Sequence, residues 1–360
     1  MIYVNAGRIM VDFKKREAKE WAWKNQKGIE CCVMPSFTPD LTKLDEEGIR
    51  YDVRHAIKQG WRSFLCAQEA CGMTVEERKK FLEIACDEAG GKIHVSVYSG
   101  IGTVASDIEM LKHFEKVGGT FFLLGFPVTC YPNSEEDIYG IARKICNATN
   151  LAVNMYANPQ LMPDVGRFQQ GRMSPKLYAK IAEIDNVTGF KAGPRMDDTG
   201  WFTECYRLFG DKILIASPSF ASWPLMMIHF HQQWAPALLY DVYQTPDNPR
   251  CVKMFDLFLE GDISKAMELY EQLLPINAAS SRTGAEFHGG GIHPFTLWKY
   301  FHWMSGGNGG MLRPPCHRIF QHHKDVIRAA WKAAGLKPRE NEEEFIVGRL
   351  NYEKGARPLV

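Results

Sequence analysis

No apolar run in the 360-residue chain is long enough to cross a bilayer, which excludes a helical membrane protein. Met1 to Trp23 is broken by Arg8, Asp12, Lys14, Lys15 and Arg16, so no signal-peptide core is expected there. Neither sign of charge prevails. With 43 Lys and Arg against 42 Asp and Glu, the formal net charge is +1, and no electrostatic case exists for a nucleic acid or an anionic membrane as partner. The ten cysteines contain no CxxC pair and are scattered apart from the neighbours Cys31 and Cys32. Buried, reduced thiols in a cytoplasmic protein are therefore expected. Cys66, Cys71 and Cys130 fall near predicted strand ends, where oxidation would matter. Low-complexity tails are also missing.

What is present suits a globular protein with an ample core: 45% hydrophobic and 24% charged residues, long enough for one large domain or two ordinary ones. The most informative stretch is Val187-Thr188-Gly189-Phe190-Lys191-Ala192-Gly193. It reads as a buried strand that ends in one lysine and breaks at glycine. A solvated lysine is a poor nucleophile near neutral pH, but burial disfavours its charged form and can release an amine able to attack a carbonyl. The commoner fate of such a lysine is to snorkel from the strand end or to pair with an acid such as Asp197.

Strand and helix signals alternate along the chain. Strands are predicted at Ile29–Met34, Trp61–Ala67, Ile93–Tyr98, Thr120–Phe126, Leu151–Tyr156, Val187–Gly193 and Ile213–Ala216, with a weaker eighth at Pro236–Tyr240. Helices are predicted between them. Asp45 caps one that runs to about Lys58, Thr74 with Glu77 makes a capping box, and Ser134 with Asp137 makes another. Ser174-Pro175 supplies an N-cap and a first-turn proline. Strands recurring about every 30 residues are what βαβ units require, and eight such units closing on themselves make a (β/α)₈ TIM barrel. The expected organisation is an N-terminal extension (1–28), the barrel (29–250) and a C-terminal helical region (251–360). In that last region Asp262 caps a helix to Leu274, and Trp298–Met304 and Gln321–Ala334 follow as helices. An open doubly wound sheet is the alternative.

A barrel carries its chemistry at the C-terminal ends of its strands. Those ends supply Gln68 and Glu69, Ser99, Tyr156-Ala157-Asn158-Pro159, Lys191 and Ser217. A tyrosine one strand from a lysine suits proton relay to and from a carbinolamine or enamine. The ordinary fate of Tyr156 is as an aromatic filling the barrel top with its hydroxyl hydrogen-bonded.

Pro35-Ser36-Phe37-Thr38-Pro39-Asp40, Glu76-Glu77-Arg78, Tyr156-Ala157-Asn158-Pro159 and Gly189-Phe190-Lys191 together resemble the dihydrodipicolinate synthase / N-acetylneuraminate lyase superfamily. Gly261-Asp262, Leu273-Leu274-Pro275 and Arg313-Pro314-Pro315 resemble its C-terminal region. The resemblance implies a (β/α)₈ barrel with C-terminal helices, a homotetramer, and a class I lyase that needs no cofactor and no metal. It places on Lys191 the Schiff base with a 2-oxo acid such as pyruvate, and on Tyr156 the proton relay. The Tyr-Ala-Asn-Pro wording is most similar to the hydratase-aldolases that cleave benzylidenepyruvates, which implies that Asn158 meets a substrate hydroxyl or water. Tyr131 matches a tyrosine that a neighbouring subunit supplies.

Two departures bear on the substrate. Where the family has a Gly-[Ser/Thr]-Thr-Gly-Glu turn for the oxo-acid carboxylate, residues 64–73 read FLCAQEACGM, leaving only Gln68 and Glu69. The arginine that follows the tyrosine motif in dihydrodipicolinate synthases is missing, since Gln160 to Pro163 holds no basic residue. The favoured reaction is aldol cleavage or condensation of a 2-oxo acid with an aromatic or apolar aldehyde. A dihydrodipicolinate synthase-like or keto-sugar-acid aldolase or dehydratase is the alternative, and a non-catalytic ligand-binding barrel a remoter one.

Two rival patterns remain. Gly100-Ile-Gly102-Thr-Val-Ala105 has the wording of a dinucleotide fingerprint, but the next strand lacks the ribose-binding acid. His229, His231, His288, His293, His317, His322 and His323 lack the spacings of known metal sites. His288 and His293 flank a glycine loop and are candidates for the substrate pocket.

Overall fold

Short apolar runs bounded by glycine, proline or a capping residue become the strands of one sheet. They are β1 (Gly28–Val33), β2 (Ser63–Cys66), β3 (His94–Tyr98), β4 (Phe121–Leu124), β5 (Ala152–Tyr156), β6 (Val187–Lys191), β7 (Leu214–Ala216) and β8 (Trp234–Ala235). They pair in chain order, with β8 beside β1, as an α/β barrel of eight parallel strands followed by C-terminal helices. Every residue of β1, β2, β4, β6 and β7 is buried, as strands covered on both faces require. The computed structural model describes residues 4–5, 8–9 and 12–359, except 70, 128, 157–172, 193–198 and 289–292.

The helices that precede and alternate with the strands are α1 (Ala18–Asn25), α2 (Glu46–Lys58), α3 (Val75–Ala89), α4 (Val104–Val117), α5 (Glu135–Cys146), α6 (Pro175–Ala182), α7 (Thr199–Phe209) and α8 (Trp223–His229). After β8 come α9 (Arg250–Glu260), α10 (Ile263–His288), α11 (Phe295–Ser305), α12 (Gln321–Ala333), α13 (Glu342–Val347) and α14 (Arg349–Glu353). The caps read from the sequence form as expected. Asp45 accepts from the Gly48 N–H, and Thr74 and Glu77 bond reciprocally at 3.0 and 3.1 Å. Ser134 and Ser174 cap α5 and α6. No helix among the described residues is long and apolar enough to cross a membrane, and the ten cysteines form no disulfide.

Two expectations need correction. The eighth strand is Trp234–Ala235, not Pro236–Tyr240, because Pro236 has no N–H with which to continue the ladder. α10 does not stop at Leu274 but passes Pro275 and reaches His288. Pro275 is exposed while Leu273, Ile276, Ala279 and Thr283 are buried at helical spacing. Packing of that face outweighs the cost of about 3 kcal/mol for an interior proline. Separately, α8 ends at His229, and His231 lies beyond it in a left-handed conformation at φ 50°.

The chain forms two compact units, Met1–Glu30 with Gly90–Ala237 and Cys31–Ala89 with Leu238–Val360. In the first, α1 packs near the N-terminal ends of the strands. Trp21 meets His94, the first residue of β3, edge-on at 5.3 Å, and Lys19 Nζ donates to the Ala182 carbonyl at 2.7 Å.

The second unit holds a buried ionic cluster. α11 is buried along its whole length, yet it carries Lys299 and His302 one turn apart. Lys299 Nζ donates to Asp52 Oδ2 and to Ser36 Oγ, each at 2.8 Å. His302 lies between two carboxylates, its Nε2 3.1 Å from Asp52 Oδ1 and its Nδ1 3.3 Å from Asp241 Oδ1. Burial alone would pull the His302 pKa down, but Asp52 and Asp241 together lift it to about 9. Burial would likewise raise the Asp52 pKa, but the Lys299 and His302 charges hold it well below the usual carboxylate range.

A stability test follows from the ring. Unfolded, His302 titrates near 6.5. Because its folded pKa is higher, the stabilisation by the protonated ring is complete below pH 6.5 and is lost as the pH rises through 9. Thermal denaturation across this window is expected to show a fall on the order of 3 kcal/mol. His302→Gln is expected to be less stable at pH 6.5 and to lose that slope. A wild-type melting temperature that stays flat from pH 6.5 to 9 would show that the ring is neutral.

Candidate active site

Side chains two apart on a strand share a face, so Gly189 and Lys191 of β6 point the same way. Their partners on β5 are Asn154 opposite Gly189 and Tyr156 opposite Lys191. Gly189 is needed here because a Cβ would lie 2.2 Å from Asn154 Oδ1. Asn154 is fully buried, and its Nδ2 has no hydrogen-bond partner among the described residues.

At the next level the lysine and the tyrosine meet. Lys191 is only 4% exposed, its Nζ donates to the Ala237 carbonyl at 2.7 Å, and it stands 4.3 Å from the centre of the Tyr156 ring. The Tyr156 ring meets Tyr98, at the end of β3, edge-on at 6.2 Å. Tyr98 is given its space by two glycines, since a Cβ on Gly125 would lie 2.2 Å from its ring and one on Gly100 2.7 Å from its hydroxyl.

Glu30 completes the group. It sits in β1 with no exposure, accepts a hydrogen bond from Ser96 Oγ of β3, and accepts the Ala237 N–H at 2.9 Å. Ala237 is thus held at its amide by Glu30 and at its carbonyl by Lys191. Burial pushes the Glu30 pKa up to about 7, against the Ser96 hydroxyl, the Lys191 charge and the Ala237 N–H, which favour the ionised form.

Lys191 and Tyr156 are therefore brought together. Ser217 is buried at the end of β7 and engaged locally: its N–H donates to Gln232 Oε1 at 2.9 Å, and its Oγ accepts from Ser222 Oγ at 2.8 Å. Tyr131 is 71% exposed. Asn158 lies outside the described residues, as does the side chain of His288. The other candidates belong to the second unit. Gln68, past the end of β2, is buried with neither polar side-chain atom hydrogen-bonded among the described residues. Glu69 beside it is half-buried, and the half-buried His293 packs on Phe295 and Trp298 at 5.4 and 5.8 Å.

The dinucleotide pattern at Gly100 has a local explanation. The amides of Gly100 and Gly102, which would face a phosphate, donate instead to the Asp107 carboxylate at 2.6 and 3.2 Å. Two histidine clusters converge, His55–Asp241–His302 and Glu286–His322–His323. A doubly protonated His302 has no lone pair for a metal. In the other cluster His323 Nδ1 accepts the Phe320 N–H at 2.9 Å, which leaves the proton on the Nε2 facing Glu286.

Comparison with known proteins settles the lineage: the sequence profile of the dihydrodipicolinate synthetase family matches residues 25–227. The chain belongs to that family. As a member of the dihydrodipicolinate synthetase family it is a class I aldolase, a carbon–carbon lyase that works through a Schiff base. It is 24% identical over 322 residues to the 4-hydroxy-tetrahydrodipicolinate synthase of Methanopyrus kandleri, an alignment covering 86% of this chain and 97% of that one. Its fold is similar to that of N-acetylneuraminate lyase from Fusobacterium nucleatum, with a TM-score of 0.70 and 19% identity over 87% of this chain and 99% of that one. The structure of that lyase complexed with pyruvate matches with a TM-score of 0.69 and 18% identity, over 85% of this chain and 96% of that one.

Proposed function

We propose that Lys191 is the Schiff-base nucleophile and that the enzyme cleaves or forms the bond between a 2-oxo acid such as pyruvate and an aromatic or apolar aldehyde, in the manner of a hydratase-aldolase. The observation that carries this reading is one buried amine at a strand's C-terminal end, with the Tyr156 ring 4.3 Å away on the neighbouring strand. The Lys191 amine adds to the keto carbon, giving a carbinolamine. Loss of its hydroxyl as water leaves a protonated imine, which draws electrons from the adjacent carbon–carbon bond and stabilises the enamine left by cleavage. Tyr156 hands a proton to the departing hydroxyl; in cleavage it then takes the proton of the aldol hydroxyl as the aldehyde leaves, and in condensation it gives that proton back to the aldehyde oxygen.

The absence of a basic residue from Gln160 to Pro163 favours an aldehyde without a carboxylate. The Tyr98 and Tyr156 rings supply apolar surface beside the amine. Asn158 is assigned to a substrate hydroxyl or water, and Gln68 to a polar group of the donor, its side-chain amide having no hydrogen-bond partner among the described residues.

The test is a panel that pairs pyruvate with aromatic aldehydes, aspartate semialdehyde and sugar aldehydes. Condensation with aromatic aldehydes is expected. Turnover of aspartate semialdehyde would restore the reaction named for the Methanopyrus relative, and condensation with sugar aldehydes alone would favour the sugar-acid alternative. Assembly is proposed to be homotetrameric, with the exposed Tyr131 offered to a neighbouring subunit. Sedimentation at micromolar concentration is expected to show the tetramer, and monomer alone would contradict it.

A further inference from the structure

A carboxylic acid in the middle of a fully buried strand is costly unless it has partners. Glu30 has several. It receives the Ser96 hydroxyl, it receives the Ala237 N–H at 2.9 Å, and the Trp234 indole and the charge of Lys191 also favour its ionised form, the Lys191 Nζ holding the other end of Ala237 at 2.7 Å. A structural pin alone would not need an ionisable group, since an amide side chain in the same place accepts the Ala237 N–H equally well.

We propose that Glu30 is a positioning residue for Lys191, which fixes the amine through Ala237 and governs by its own charge when that amine can attack. The proposal rests on the assignment of the Schiff base to Lys191. With its carboxyl protonated, Glu30 is neutral and does not retain the proton on Nζ. Once ionised, it favours the ammonium form, which has no lone pair for the carbonyl. The same negative charge then favours the protonated imine, the form that withdraws electrons.

The overall step balances. Ammonium and ketone give iminium and water, the Nζ–C bond forming as the C–O bond breaks, and both hydrogens of the water come from the ammonium. Charge at Nζ is +1 at the start and at the end. The neutral amine appears only between them, and it is there that Glu30 acts.

The surroundings allow this control to be read in a pH profile. Lys191 on β6 is the charged group that acts on the Glu30 carboxyl, while β3 contributes the neutral Ser96 hydroxyl, β8 the neutral Trp234 indole and the segment after β8 the neutral Ala237 N–H. The carboxyl ionises at about 7.

The experiment measures the rate at which borohydride traps pyruvate on Lys191 from pH 5.5 to 9, in the wild type, Glu30→Gln and Ser96→Ala. The wild-type rate is expected to rise with pH and to bend towards a plateau near 7, as ionised Glu30 begins to hold the ammonium proton. Glu30→Gln is expected to match the wild type below pH 6, to lose the bend, and to trap about tenfold faster at pH 8 to 9, one pKa unit of relief at the lysine. Ser96→Ala, which removes a donor that favours ionisation but keeps the charge, is expected to move the bend to higher pH. Glu30→Gln trapping slowed equally at every pH, or a bend unmoved in both variants, would overturn the proposal. Absence of any label on Lys191 in the wild type would instead overturn the assignment on which it rests.

Discussion

Lys191→Ala is expected to abolish turnover and to remove the borohydride-dependent mass gain of pyruvate from the peptide containing residue 191. The amine at that position is the group the chemistry consumes and regenerates, and losing a nucleophile costs on the order of 10⁴–10⁶ in rate. Lys191→Arg is expected not to rescue, because a guanidinium does not form the imine. The lysine also donates to the Ala237 carbonyl at 2.7 Å, so circular dichroism is needed to show that the variants fold. A folded Lys191→Ala protein that still condenses pyruvate with an aldehyde, or labelling at another lysine in the wild type, would remove Lys191 from the mechanism.

Tyr156→Phe separates pyruvate binding from proton transfer. Phenylalanine keeps the ring that faces Nζ at 4.3 Å and the edge contact with Tyr98, so the lysine stays where it is. Only the hydroxyl is lost. The expected result is a fall in kcat on the order of 10²–10⁴, the usual span for a general acid–base group, with little change in the pyruvate concentration needed for trapping. Normal turnover by the variant would place the relay elsewhere. A large rise in that concentration with kcat intact would make Tyr156 a binding residue.

The barrel was legible because its signals are local. Apolar runs such as Phe121–Leu124 lie between capped helices, and Asp45, Thr74, Ser134 and Ser174 cap as their spacing predicts. The lysine and tyrosine could be paired from sequence because both end a strand and the strands are neighbours. Glu30 was missed although its signal was visible: one acid inside the otherwise apolar run Gly28–Val33, which only a buried partner explains. The Asp52–Lys299–His302–Asp241 cluster left a fainter trace, two cationic side chains one turn apart in a helix that is otherwise mostly aromatic and apolar. Its acids come from distant segments, and no periodicity links them. β8 was misplaced because a two-residue strand carries too little pattern to mark its own bounds.

The second unit is assembled from chain segments that leave the ribosome far apart in time. Asp52 and Lys299 are 247 residues apart, and Asp52 is fully buried only once α11 has arrived. At roughly 5–20 residues per second, the N-terminal segment waits about 10–50 s for the cation that matches its charge. During that interval Asp52 and His55 of α2 are without Lys299, His302 and Ser305, the α11 residues that they meet. The nascent chain therefore carries an uncompensated acid on a helix face that still awaits its cover, an incompletely folded form that is prone to aggregate. Truncation before residue 299 is expected to yield aggregating chains and not a smaller folded enzyme.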